Sequence, residues 1–156
     1  MFIPHPTELT SLPGHFTFHP ATAVRAAEGA QDAARLLRTL LRPATGLPLA
    51  DSPTGAVVLA LDASTHGRLG AEGYELTVAP DTVLLRAARP AGLLHGVQTI
   101  RQLLPPEALS QRPVVGTAWR LPCVRVTDVP RFGWRGAMLD VARHFQPVSF
   151  VSSTSN

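Results

Sequence analysis

Hydrophobic and polar positions along the chain alternate between two periods. In Gly14-His15-Phe16-Thr17-Phe18-His19-Pro20 the phenylalanines alternate with polar residues, which predicts a strand with one buried face. Thr22–Arg25 reads as a second, weaker strand. Between Gln31 and Leu41 the period changes: Ala33, Leu36, Leu37, Leu40 and Leu41 fall on one helical stripe, and Arg35 and Arg38 lie off it. Asp32 suits the N-terminal dipole of that helix, and Arg42-Pro43 is expected to end it. The Pro- and Gly-rich stretch up to Gly55 reads as a loop.

The apolar run Ala56–Leu61, bounded by Gly55 and Asp62, is too short for an ordinary helix and suits a central strand. Tyr74-Glu75-Leu76-Thr77-Val78 alternates cleanly. Across Ala79-Pro80-Asp81 it faces Thr82–Arg86, which predicts a hairpin. Pro90 to Leu104 carries a second helical stripe, Leu93, Val97, Ile100 and Leu104, opened by Pro90 and closed by Pro105-Pro106. Glu107–Thr117 reads as a linker and Leu121–Val126 as a strand. Two helices with one apolar stripe each must bury those stripes on a sheet. The expected fold is therefore α+β, an antiparallel-rich sheet with both helices on one face, although the pattern by itself leaves α/β open.

Near the end of the chain, Trp134, Ala137, Met138, Leu139 and Val141 form a nearly continuous apolar run with Arg135 and Asp140 set into it. Such a run suits a strand covered on both faces, and charges within it need partners or a ligand. The residues Arg131-Phe132, Trp134-Arg135-Gly136, Met138-Leu139-Asp140, Ala142-Arg143-His144-Phe145 and Pro147 resemble the start of the catalytic barrel of the β-N-acetylhexosaminidases, glycoside hydrolase family 20. Glu72–Val78 and Gly96–Leu104 resemble the non-catalytic domain that precedes that barrel. The resemblance runs from the first helix to Phe150 and stops at Val151–Asn156.

It implies residues 1–128 as an N-terminal α+β domain and 129–156 as the truncated first strand of a (β/α)8 barrel. It also implies an activity for the parent protein: retaining, substrate-assisted hydrolysis of terminal β-linked N-acetylglucosamine or N-acetylgalactosamine. Arg135 then matches the arginine that grips the 3- and 4-hydroxyls of the sugar, a task suited to a planar fork of donors. Asp140, Arg143 and His144 read as a hydrogen-bonded bracket for the first barrel loop. No Asp-Glu dipeptide occurs in the chain, so the family's catalytic pair is not here and the fragment is expected to be inactive. The rival reading is a stand-alone module that binds glycans or another protein.

Composition excludes other classes. The chain has 156 residues, and all 14 of its basic residues are arginine, for a net charge of +3. The arginines are scattered, without an aromatic-interleaved basic stripe, which argues against nucleic acid as a partner. No run of 18 apolar residues exists to span a membrane. The N-terminus shows no leader, so a cytoplasmic location is expected unless a leader was removed. His15 and His19 lack metal-ligand spacing, and His5, His66 and His95 read as surface or packing residues. Neither a metal nor a cofactor is expected. Cys123 reads as a buried inert thiol. An apolar arm around Trp134, left without a barrel, invites self-association.

Overall fold

A computed structural model of the chain describes residues 4–136 and 147–150. The elements are β1 (Glu8–Thr17), β2 (Val24–Ala26), α1 (Gln31–Thr45), β3 (Val57–Leu61), α2 (His66–Leu69), β4 (Tyr74–Val78), β5 (Val83–Ala87), α3 (Pro90–Leu103) and β6 (Arg120–Asp128). Short 3-10 turns at Ala63–Thr65 and Pro106–Leu109 complete the list. The strands form one sheet in the order β1-β6-β4-β5-β3-β2.

The sheet is mixed, which corrects the expectation of an antiparallel-rich one. The pairs β1–β6, β6–β4 and β4–β5 are antiparallel, whereas β5–β3 and β3–β2 are parallel. Parallel neighbours require a crossover connection, and α1 supplies it between β2 and β3. Period-2 alternation is the same in both kinds of ladder, so the pattern along the chain could not distinguish them. β4 and β5 form the expected hairpin: Ala79 and Thr82 exchange backbone hydrogen bonds of 2.8 and 3.4 Å around Pro80-Asp81.

β1 begins earlier than its Phe alternation suggests and continues through Pro13. It does so as an edge strand with a register shift between Ser11 and His15. Pro13 has no N–H to donate, and Gly14 takes φ +94°, so the irregularity falls where the ladder is weakest. Cys123 is buried opposite it, and its sulfur would lie 3.7 Å from a Cβ placed on Gly14.

α1 also outruns its expected end. Pro43 lies inside the helix and surrenders one intrahelical hydrogen bond, yet the helix continues to Thr45. Gly46 ends it in the left-handed conformation (φ 67°), its N–H bonded to Arg42 O at 2.9 Å. Leu37 and Leu41 of α1 join Leu93, Val97 and Ile100 of α3 in one core with Val57, Leu59, Leu76 and Leu85 of the sheet. A Cβ on Gly96 would stand 2.2 Å from Leu85 Cδ1, so α3 approaches β5 closely. The opposite face of the sheet is open, with Val58, Leu84 and Glu75 half-buried and Arg86 and Arg125 exposed.

Candidate functional site

Four elements converge where β4 begins and β6 ends. A Cβ on Gly92, in the first turn of α3, would lie 2.2 Å from Gly73 O. A Cβ on Gly73 would lie 2.3 Å from Leu69 O and 3.0 Å from Asp128 O. Backbones meet here at distances that leave no room for a side chain. Just beyond this junction Tyr74 is buried, and its hydroxyl shares a 2.5 Å hydrogen bond with Thr99 Oγ1 of α3. Burial pushes the Tyr74 phenol up to about 12, and the charge of Asp128 adds to the rise while the Thr99 bond opposes it. Asp128 Oδ1 accepts hydrogen bonds from Thr7 N and Thr7 Oγ1 at 3.1 and 3.2 Å, and Val129 N donates to Thr7 Oγ1 at 3.2 Å.

Above the junction lies a cleft of about 580 Å³, lined by His95, Gln98 and Thr99 of α3, by Tyr74 and Asp128, and by Val129–Phe132 and Arg135. Arg135 closes one side of it. Its Nη2 donates to Glu72 Oε2 at 2.9 Å and its Nη1 to Phe132 O at 2.9 Å. The side chains of Arg135 and Glu72 are 43% and 37% exposed, so the pair lies at the rim of the cleft. The other Glu72 oxygen is 4.0 Å from His95 Nε2. The Arg131 guanidinium stacks over the Phe132 ring, 4.7 Å from its centroid.

Of the four site residues expected from the sequence, the structure places Arg135; Asp140, Arg143 and His144 lie outside the described residues. The acidic partner of Arg135 among the described residues is Glu72. Glu72, Tyr74 and Thr99 went unnoticed as members of a site. The only signal for them was their place in Glu72–Val78 and in Gly96–Leu104. Among the described residues, no group of three or more His, Cys, Asp or Glu side chains could hold a metal ion. Nor is any described helix long and apolar enough to cross a membrane.

A second groove, of about 600 Å³, runs along the outer face of α1 beside Arg35, Arg38 and Arg42. Its arginines are committed to holding structure. Arg38 donates to Leu49 O at 2.8 Å and to Asp51 Oδ1 at 2.5 Å, and Arg42 donates to Pro48 O at 2.9 and 2.5 Å. Arg35 pairs with Asp32 at 3.0 Å. Those of Arg38 and Arg42 bracket the loop after α1, where Leu49 carries a positive φ of 43°.

The family model for glycosyl hydrolase family 20, domain 2, matches residues 2–129. The chain belongs to glycosyl hydrolase family 20. A curated relative of this family 20 chain, the beta-hexosaminidase of Porphyromonas gingivalis, is 35% identical over 155 residues, covering 96% of the chain and 20% of that protein. Among solved structures, the GH20 beta-N-acetylhexosaminidase of Streptomyces coelicolor is 35% identical with a TM-score of 0.84, covering 97% of the chain and 31% of that structure. The N-acetyl-beta-hexosaminidase of Streptomyces plicatus, solved in complex with Thio-NAglucal, is 37% identical with a TM-score of 0.84, covering 97% and 30%. The family 20 chain thus spans about a fifth of that curated relative and under a third of either structure. The matched residues carry the mixed sheet, both long helices and the close backbone junction at Gly73 and Gly92.

Proposed function

We propose that residues 1–128 are the non-catalytic domain of an exo-acting β-N-acetylhexosaminidase and that 129–156 open its catalytic barrel. The observation that carries this reading is the domain 2 match over residues 2–129, together with relatives 35–37% identical over nearly the whole chain that are named hexosaminidases. The parent reaction is hydrolysis of terminal β-linked N-acetylglucosamine or N-acetylgalactosamine with retention. The acetamido oxygen of the substrate attacks the anomeric carbon, and an Asp-Glu pair outside this chain orients that group and supplies the general acid. The chain has no such dipeptide and does not catalyse the reaction alone.

Arg135 holds the sugar. A guanidinium carries five N–H donors, and among the described contacts Glu72 and Phe132 O engage two. The remaining donors suit two adjacent hydroxyls of a hexosamine, which a single ammonium cannot grip together. In the proposed barrel Arg135 would open the first strand, whereas barrel sites open at the far ends of strands, and its long side chain would span that distance. Asp140, Arg143 and His144 bracket the first barrel loop.

The test is a graft. Residues 1–156 replace the matching portion of the Streptomyces plicatus enzyme, and turnover of an aryl N-acetyl-β-glucosaminide is measured. The graft is expected to be active and the 156-residue chain inactive. In the graft, Arg135→Lys should cost about 2 to 3 kcal/mol in kcat/KM, the scale of a charged hydrogen bond left unmade. Near-normal turnover by that variant would make Arg135 purely structural. Turnover by the isolated chain would remove the domain assignment.

A further inference from the structure

We propose that Glu72, on the turn between α2 and β4, is a positioning residue: it fixes the guanidinium of Arg135 in the orientation that meets the sugar. The inference rests on the reading of Arg135 as the sugar-binding arginine and gives the non-catalytic domain an indirect part in substrate binding.

The geometry carries it in three steps. First, Arg135 is held at both terminal nitrogens, Nη2 by Glu72 and Nη1 by Phe132 O, each at 2.9 Å. Two contacts on different nitrogens define the plane of the fork, and one contact alone would leave it free to swivel. Second, Glu72 projects from a tightly packed point of the domain. The next residue, Gly73, is clamped between Leu69 O, Asp128 O and the first turn of α3 at distances no Cβ could share. Tyr74 follows and is pinned to Thr99. A carboxylate on such a base holds its partner in place instead of following it. Third, Arg135 lines the cleft and both side chains of the pair are partly exposed, so the remaining guanidinium donors stay within reach of a ligand. An arginine already fixed loses little rotamer freedom when it grips a ligand, and that lowers the cost of binding. Glu72 touches no reacting atom in this scheme and acts only through Arg135.

Two measurements test this. In the 156-residue chain, ¹⁵N spectra of the arginine side chains, with Arg135 assigned through Arg135→Lys, should show separate Nη signals for Arg135. Glu72→Gln should merge them and Glu72→Asp should partly restore them. Merged signals in the unsubstituted chain, or no change in Glu72→Gln, would overturn the tether. In the graft onto the Streptomyces plicatus enzyme, Glu72→Gln should raise KM about threefold to fivefold with kcat nearly unchanged, on the scale of a half-exposed ion pair. Glu72→Asp should recover part of that loss. An unchanged KM beside a large loss in Arg135→Lys rejects the positioning role and leaves the sugar-binding role intact. Normal kinetics in both variants reject sugar binding by Arg135 itself, and the spectra then decide whether the tether exists. If the graft fails to fold, the spectra decide alone.

Discussion

Tyr74 is the chain's one tyrosine, and there is no lysine at all. Its phenol is therefore unusually easy to follow at high pH. The buried environment favours the neutral form and raises the folded-state value to about 12 from an ordinary 10.0. A raised value means that the stabilising contribution is complete below pH 10 and is lost as pH climbs through 12. Folding stability should fall by on the order of 2 kcal/mol across that interval. The tyrosinate absorbance should titrate near 12 in the native chain and near 10 in urea. Tyr74→Phe should cost about 1 kcal/mol at neutral pH, because Thr99 loses its buried partner. It should also remove the Tyr74 contribution to the slope between pH 10 and 12, as urea melts at pH 9 and 11 would reveal. A native titration near 10 would show that water reaches the hydroxyl.

The glycines of α3 set the spacing between elements. A Cβ on Gly92 meets the Gly73 backbone, which has no side-chain freedom with which to retreat, whereas a Cβ on Gly96 meets the side chain of Leu85. Gly92→Ala should therefore destabilise by about 3 kcal/mol or more and Gly96→Ala by about 1 to 2, the helix-propensity gain of alanine offsetting part of each. Urea unfolding of the two variants compares them directly, and equal losses would mean that the junction at Gly73 yields. α3 was legible in the sequence because its stripe is uninterrupted and both ends carry prolines. The β4–β5 hairpin was legible because Pro80-Asp81 separates two clean alternations. The end of α1 was misread at Pro43, since a proline in the last turns of a helix costs a single bond and does not stop the chain. β2 is three residues long and finds its parallel partner only across α1, so no local pattern announced the parallel half of the sheet. The Arg135–Glu72 pair joins positions 63 apart, a separation that the spacing of neighbouring residues does not report.

At the scale of the whole molecule, the segment after β6 contrasts with what precedes it. Residues 131–136 are exposed, with Phe132 and Trp134 at 61% and 86%, and the surface ion pair of Arg135 contributes less than about 1 kcal/mol. Trypsin should cut first after Arg131 or Arg135, because the other described arginines lie on helices or strands or, at Arg89 and Arg112, precede a proline that blocks the cut. The trimmed product should keep its circular dichroism and its urea midpoint. First cleavage inside α1 or α3 would show that the domain is not an independent unit. The same apolar side chains make association plausible on physical grounds, and sedimentation should detect it in the intact chain and lose it after trimming. The sheet order carries a consequence for synthesis. β1 is made first, yet its one neighbour in the sheet is β6, the last strand of the domain, which in turn lies between β1 and β4. While the ribosome is still at work, the hairpin, the β2–α1–β3 crossover and α3 can assemble among themselves, but the opening strand has nowhere to go. The domain can close only after Asp128 has emerged from the exit tunnel, so a nascent chain arrested before Arg120 should leave β1 open to protease.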